Sequence, residues 1–225
     1  LGSAGVVVLI SGYAPYLLSI EANLLAGRGL RVGVVDLAAD GPPAGDLAPS
    51  VIRRQVHRSW NSKTEPPPSR WTRACRWLRF RRECRGAVRR WAPRVVIGYD
   101  LHACAHLPVC ARGHRTVFHF HELPEPEPGM GVGPALSLRK VRGASRSADL
   151  VVFSDEHRGR CYQEEAALPS PPRIVMNCPM TIETVPDSPL RSLLRERGLP
   201  DGRVVVYIGS IGRNQGLPEA ARSMA

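Results

Sequence analysis

The chain has 225 residues, enough for one large α/β domain or for one domain and part of another. Its formal net charge is +11, but only Lys63 and Lys140 are lysines, so the surplus is arginine, a skew that codon bias can produce; nucleic acid is the least favoured partner. No stretch approaches the roughly 20 apolar residues that span a bilayer, and the six cysteines lack the close pairs of structural zinc or dithiol sites. These features exclude a membrane-spanning protein and a zinc-stapled module, and predict a cytoplasmic chain with reduced cysteines.

In chain order, six short apolar runs each end on small, polar or ionisable residues. Residues 6–10 (VVVLI) end at Ser11, Gly12 and Tyr13, and 32–35 (VGVV) at Asp36. Residues 95–97 (VVI) end at Gly98, Tyr99 and Asp100, and 116–120 (TVFHF) at His121 and Glu122. Residues 150–153 (LVVF) end at Ser154 and Asp155, and 174–176 (IVM) at Asn177. Short Val-, Ile- and Phe-rich runs with helical stretches between them predict an α/β fold: a Rossmann-like parallel sheet with helices on both faces. Ligands in such sheets bind beyond the carboxyl ends of the strands, so the residues ending the runs are the candidates for chemistry.

Between the runs lie loops at 41–50, at 61–69 with three consecutive prolines, and at 123–133, the last directly after His121 and Glu122, where it could cover a substrate. Residues 70–94 hold ten arginines, three tryptophans and one acid, Glu83. As a helix, this segment carries an imperfect apolar stripe of Trp71, Ala74, Leu78, Cys84, Val88 and Trp91, interrupted by Arg81. It reads as a domain helix with a solvated arginine face or, alternatively, as a helix lying on an anionic membrane surface. His102, Cys104, His106, Cys110 and His114 have the residue types zinc prefers. A helix placing His102, His106 and Cys110 on one face cannot easily close a tetrahedron, so no metal is expected. A seventh run, 204–208, leads into the turn Gly209-Ser210-Ile211-Gly212-Arg213-Asn214-Gln215-Gly216 and a helix start at Leu217-Pro218-Glu219, the beginning of a truncated second domain.

Five segments in this order, RVVIGYDLHA, TVFHFHELPE, ADLVVFSDEHR, IVMNCP and VVVYIGSIGRNQGL, with the opening ISGYAPYLLSIEANLLAGRGLRVGVVDL, resemble the large family 4 type of retaining GT-B glycosyltransferases. The resemblance covers nearly the whole chain. It implies an N-terminal acceptor-binding Rossmann-like domain at 1–186, a linker at 187–203 and the start of a nucleotide-sugar-binding domain at 204–225. The implied activity is transfer of a sugar from a nucleotide-sugar donor to a lipid-linked or cell-surface glycan, hexosyltransferase-like and with retention, by the full-length protein. The 225 residues alone would be inactive. No cofactor or metal is implied, because helix N-termini, backbone N–H groups and cationic side chains can stabilise a departing diphosphate.

Carried over by position, His121 and Glu122 correspond to the catalytic pair, and Gly12, Tyr13, Asp100 and His102 to the acceptor side. Gly209, Ser210, Arg213, Asn214 and Gln215 correspond to the donor side. Ser210 and Gln215 depart from the Arg and Lys usual there, with Arg213 the nearest substitute charge. His121 could equally be a strand-end histidine bonded to backbone, and Asp100 a helix N-cap. Two other readings share the architecture: a non-catalytic sugar- or nucleotide-binding protein, and a sugar-nucleotide epimerase.

Overall fold

The structure, a computed structural model, describes residues 6–11, 15–38, 47–58, 69–125, 132–176, 189–198 and 222. Two compact units divide the chain, residues 1–178 and 179–225. In the second, the helix α7 (Pro189–Glu196) starts with proline at a position where the missing N–H has no partner to lose.

Seven strands, all parallel, form one sheet: β1 (Val6–Ser11), β2 (Arg31–Ala38), β3 (Ile52–Arg58), β4 (Val95–Tyr99), β5 (Arg115–Phe120), β6 (Leu150–Phe153) and β7 (Arg173–Ile174). Their spatial order is β3-β2-β1-β4-β5-β6-β7. The α/β Rossmann-like fold expected from the apolar runs is therefore the fold observed. β3 was not foreseen. Its sequence, IRRQVHR, is mostly polar because it is an edge strand: Ile52 is exposed, and the inward Val56 is the buried member. Arg53 of β3 also pairs with the buried Asp36 of β2, its Nε and Nη2 donating to the two carboxylate oxygens at 3.1 and 2.5 Å.

Chain direction explains the layers. From β1 the chain moves one way along the sheet to β2 and β3, then returns to β4 and continues the other way. Right-handed crossovers then place α1 (Pro15–Gly27) on one face and the later helices on the opposite face. The core divides accordingly. Val7, Val32, Val34 and Tyr99 pack with Leu18 and Ala22 of α1. Val8, Val35, Val96, Phe118, Phe120 and Phe153 pack with α2 (Arg70–Trp91), α5 (Val132–Ser145) and α6 (Glu156–Ala166) on the other side. Alternation along each strand does the sorting, since successive side chains point to opposite faces.

α2 departs from the single stripe read from its sequence. Ser69 caps its start, the hydroxyl accepting from the Thr72 N–H at 3.1 Å, and Ala92 in the left-handed conformation ends it. Phe80, Cys84, Ala87 and Val88 are buried against the sheet, while Trp71 is 82% exposed and Leu78 57%. At 100° per residue Trp71 and Leu78 lie on the side opposite Phe80 and Cys84, so the expected stripe is two stripes on two faces. Docking of the helix end depends on Gly33 in β2, where an added Cβ would stand 2.4 Å from the Trp91 ring. Arg81, Arg85 and Arg89 follow at four-residue steps, an arrangement that costs roughly 0.2–0.5 kcal/mol per like-charged pair.

The histidine- and cysteine-rich segment is not one helix. It forms two short ones, α3 (Asp100–Cys104) and α4 (Leu107–Cys110), and the break keeps the expected three-residue face from forming. Cys104 donates to the Gly98 carbonyl at 3.2 Å, Cys110 to the Arg81 carbonyl at 3.4 Å, and the His114 Nδ1 lies 2.7 Å from the Pro93 carbonyl. His106 is 1% exposed, packed on Trp77 at 4.6 Å and edge-on to Phe80 at 5.2 Å, with neither ring nitrogen bonded. Burial holds it neutral and pushes its pKa down to about 3, helped by the neighbouring charges of His102 and Arg81. The five described cysteines are free thiols, and Cys84, Cys104 and Cys110 are buried. No described helix is long and apolar enough to cross a membrane.

Candidate functional site

The strand order reverses beside β1, and the crevice for a ligand in such sheets opens at this switch point, past the carboxyl ends of β1 and β4. Gly12 and Tyr13, which follow β1, lie outside the described residues, as do Gly209, Ser210, Arg213, Asn214 and Gln215. Asp100 follows β4 directly, and His121 follows β5, the next strand over.

Asp100 has φ 59°, the left-handed region, which a short polar side chain tolerates better than most because it can bond locally. Its carboxylate does not cap α3. Oδ1 instead accepts the backbone N–H of His121 at 3.0 Å, and Oδ2 lies 3.2 Å from His121 Nδ1. A residue held in an uncommon backbone conformation at a strand end, with its charge aimed at a neighbouring histidine, is where strain and function tend to coincide. The His121 carbonyl is fixed as well, accepting from Ser154 Oγ at 2.9 Å and from Arg158 Nη1 at 2.7 Å. Backbone and ring are therefore both held, by residues that follow β4 and β6 and by one on α6.

On the α1 face the site continues inward. Phe118 and Phe120 of β5 point to the other face, so His119, like His121, points toward α1. His119 Nδ1 is 3.4 Å from Glu21 Oε1 on α1, and the Tyr99 hydroxyl donates to the other oxygen of Glu21. The rings stack as a group: His119 to His121 at 4.8 Å, Tyr99 to His119 at 5.1 Å, and Tyr99 to His121 at 5.8 Å, nearly parallel. His119 is 4% exposed and His121 9%, and the Nε2 of each is buried without a partner. Buried polar atoms are nearly always bonded, so two unbonded imidazole nitrogens past the strand ends mark this edge as a candidate site.

Charge within the cluster follows from these contacts. Burial of the His121 ring works against its charged form, but the hydrogen bond and charge of Asp100, with Glu21 and Glu122 further off, outweigh burial and raise its pKa above the ordinary histidine value. Burial likewise opposes ionisation of Glu21, and His119, Tyr99 and His121 together overcome it, lowering its pKa. Burial and the Glu21 charge push Tyr99 well above the usual tyrosine value, which keeps its hydroxyl a donor. Glu21, His119 and His121 also place potential ligand atoms within 4.8 Å of one another, the grouping with metal-ligand chemistry among the described residues.

Of the residues singled out from the sequence, Asp100 and His121 are brought into contact. Glu122 is exposed, and the carboxylate that orients His121 belongs to Asp100. His102 is exposed on α3 and is not in the cluster. Tyr99 stands among the run-ending candidates read from the sequence, whereas Glu21 and His119 do not. Glu21 sits amid an otherwise apolar helix, YLLSIEANLLA, and a lone acid at such a position is the signal that could have marked it.

No family model and no curated protein sequence matches the chain. Among solved structures, sucrose-phosphate synthase from Thermosynechococcus elongatus is similar with a TM-score of 0.67 at 13% identity, over 98% of this chain and 59% of that one. A UDP-glucosyltransferase from Polygonum tinctorium gives 0.51 at 11% identity, over 84% and 56%. UGT2 of Phytolacca americana, solved with UDP-2fluoro-glucose and pterostilbene, gives 0.50 at 14% identity, over 86% and 57%. This chain therefore spans less than two thirds of each of these proteins. At such identities the likeness is one of fold: the Rossmann-like parallel α/β sheet of this chain matches a part of these glycosyltransferase structures.

Proposed function

We propose that this chain is the acceptor-side part of a retaining GT-B glycosyltransferase of the family 4 type. It moves a hexose from a nucleotide-sugar donor to a lipid-linked or cell-surface glycan. The observation that carries the reading is His121: a ring fixed through Nδ1 by Asp100, its charge favoured, its Nε2 unbonded at the switch-point edge. A cationic N–H aimed into a water-poor cleft stabilises negative charge as it grows on a departing diphosphate or on a sugar oxygen. Asp100 positions the ring, and the charge of Glu122 adds to the local field. Gly12, Tyr13 and His102 line the acceptor side in this reading. Gly209, Ser210, Arg213, Asn214 and Gln215 face the donor diphosphate, within a second domain that begins near residue 204 after a linker at 187–203. The step needs no metal or cofactor. The acceptor is met in the cytoplasm at an anionic membrane surface, where Trp71 and Leu78 on the outer side of α2 serve as interfacial anchors.

The solved UGT2 supports the donor class by analogy, since its bound UDP-2fluoro-glucose is a nucleotide sugar. The test is a panel of UDP-, GDP- and ADP-sugars offered to the enzyme that contains this chain, with nucleotide release and calorimetric binding followed in parallel. Release from one donor that rises with a glycan acceptor, with the product anomer matching the donor by NMR, is the expected result. Neither binding nor release from any donor overturns the reading, and an inverted product overturns the retaining assignment.

A further inference from the structure

Among the described residues, a strongly basic concavity lies away from His121 and has no part in the chemistry above. It is an open cleft of ≈ 570 Å3 between α2 and the edge strand β3, lined by Arg54, Arg81, Arg82, Arg85, Arg89 and Arg90. β3 and β5 are four strand positions apart, which at about 4.8 Å per strand puts the cleft roughly 19 Å from the His121 edge.

Two rows of residues at four-residue steps build its helical wall: Arg81, Arg85 and Arg89 in one, and Arg82, Gly86 and Arg90 in the other. Gly86 leaves the middle of the second row clear, because a Cβ there would meet no atom within 4 Å. The single carboxylate in the lining, Glu83, is already taken. Both Nε and Nη2 of Arg54 donate to its Oε2, at 3.0 and 2.8 Å. Arg81 lies over the Trp77 ring at 5.4 Å. Among the described residues, Arg82, Arg85, Arg89 and Arg90 have no carboxylate partner.

Guanidinium groups repel when they converge in this way without intervening acids. A planar fork of donors satisfies phosphate oxygens two at a time, better than a point charge does. We infer that the α2–β3 cleft is a binding site for a compact anion carrying two or more phosphate groups. The volume suits a small polyphosphate or one diphosphate headgroup. The site is independent of glycosyl transfer, and its occupancy does not require His121.

Two probes separate the sources of such an anion: soluble tripolyphosphate, and vesicles of phosphatidylcholine with or without cardiolipin, whose headgroup carries two phosphates. Isothermal titration and vesicle co-sedimentation are run on the full chain and on three double variants, with folding checked by circular dichroism. Arg85→Glu/Arg89→Glu should weaken groove-dependent binding about tenfold or more, and Arg85→Lys/Arg89→Lys, which keeps the charge but loses the fork, by a smaller factor of roughly three. Arg115→Glu/Arg139→Glu, exposed arginines outside the cleft, is the control and should change binding less than about twofold. Loss confined to the cleft variants with tripolyphosphate assigns a soluble ligand, and the same loss with cardiolipin vesicles alone assigns a lipid headgroup. Equal losses in the control, or no binding of either probe at physiological salt, overturn the site.

Discussion

Among the described residues, two places bury a histidine ring with unbonded nitrogen, and they treat its charge in opposite ways. Between α2 and α4, His106 meets Trp77 and Phe80, has no carboxylate beside it, and is held neutral. At the strand ends, His121 meets Asp100 with Glu21 and Glu122 nearby, and its charged form is favoured even though burial opposes it. Burial alone therefore does not decide what a histidine does; the acid within hydrogen-bond reach does. The first arrangement is core packing with a latent sensitivity to acid. The second sets a ring whose charged form is favoured at the strand-end edge.

The largest effect should appear at His106 and in acid. Its folded pKa is depressed from 6.5 to about 3, so its contribution to stability is present above pH 6.5 and is lost as the pH falls toward 3. The full swing is at most on the order of 5 kcal/mol. His106→Leu, which replaces an unpaired polar ring by an apolar group of similar size, should flatten the urea midpoint between pH 7 and pH 4. An equally steep loss of stability in acid would show that the ring is bonded or hydrated after all.

At the other histidine the effect is on rate. His121→Ala in the enzyme containing this chain should lower turnover roughly a hundredfold or more, the scale of one transition-state contact, while costing about 1–2 kcal/mol of stability through the charged hydrogen bond to Asp100. Measuring turnover and melting on one preparation separates the two. Activity lost only in proportion to unfolded protein would make His121 a packing residue like His106.

Asp100→Asn sharpens the comparison by removing the acid and leaving the ring. Because the His121 pKa is raised in the folded state, the pair stabilises fully below the unfolded histidine pKa, and the gain disappears as the pH climbs through the folded value. The variant should shift the His121 titration, followed by NMR, to lower pH and reduce stability below pH 6 by about 1 kcal/mol. An unchanged titration would mean that Glu21 or Glu122 sets the charge.

The smallest change is expected for Glu122→Gln. That carboxylate is exposed and acts on His121 only through its field, so the titration should move slightly to lower pH and turnover by less than about threefold. A loss as large as that of His121→Ala would restore Glu122 to the catalytic pair inferred from the family resemblance.

Sequence alone determined the parallel sheet, because strands buried on both faces must be written as short apolar runs, and six of the seven strands are so written. It also determined that His121 and Asp100 stand past the carboxyl ends of their strands, since each closes the segment that begins with such a run. β3 escaped because an edge strand can be polar on its open side. The single helix expected around His106 failed because backbone breaks are set by local packing, which residue types do not record. Only the tertiary structure decided which acid meets which histidine. Glu21 lies 98 and Tyr99 20 residues from His119, on different elements, and they converge because the α1 crossover and the alternation of β5 bring one helix and two strands onto the same face. Contacts between residues so distant in the chain depend on sheet order, and sheet order is a property of the fold.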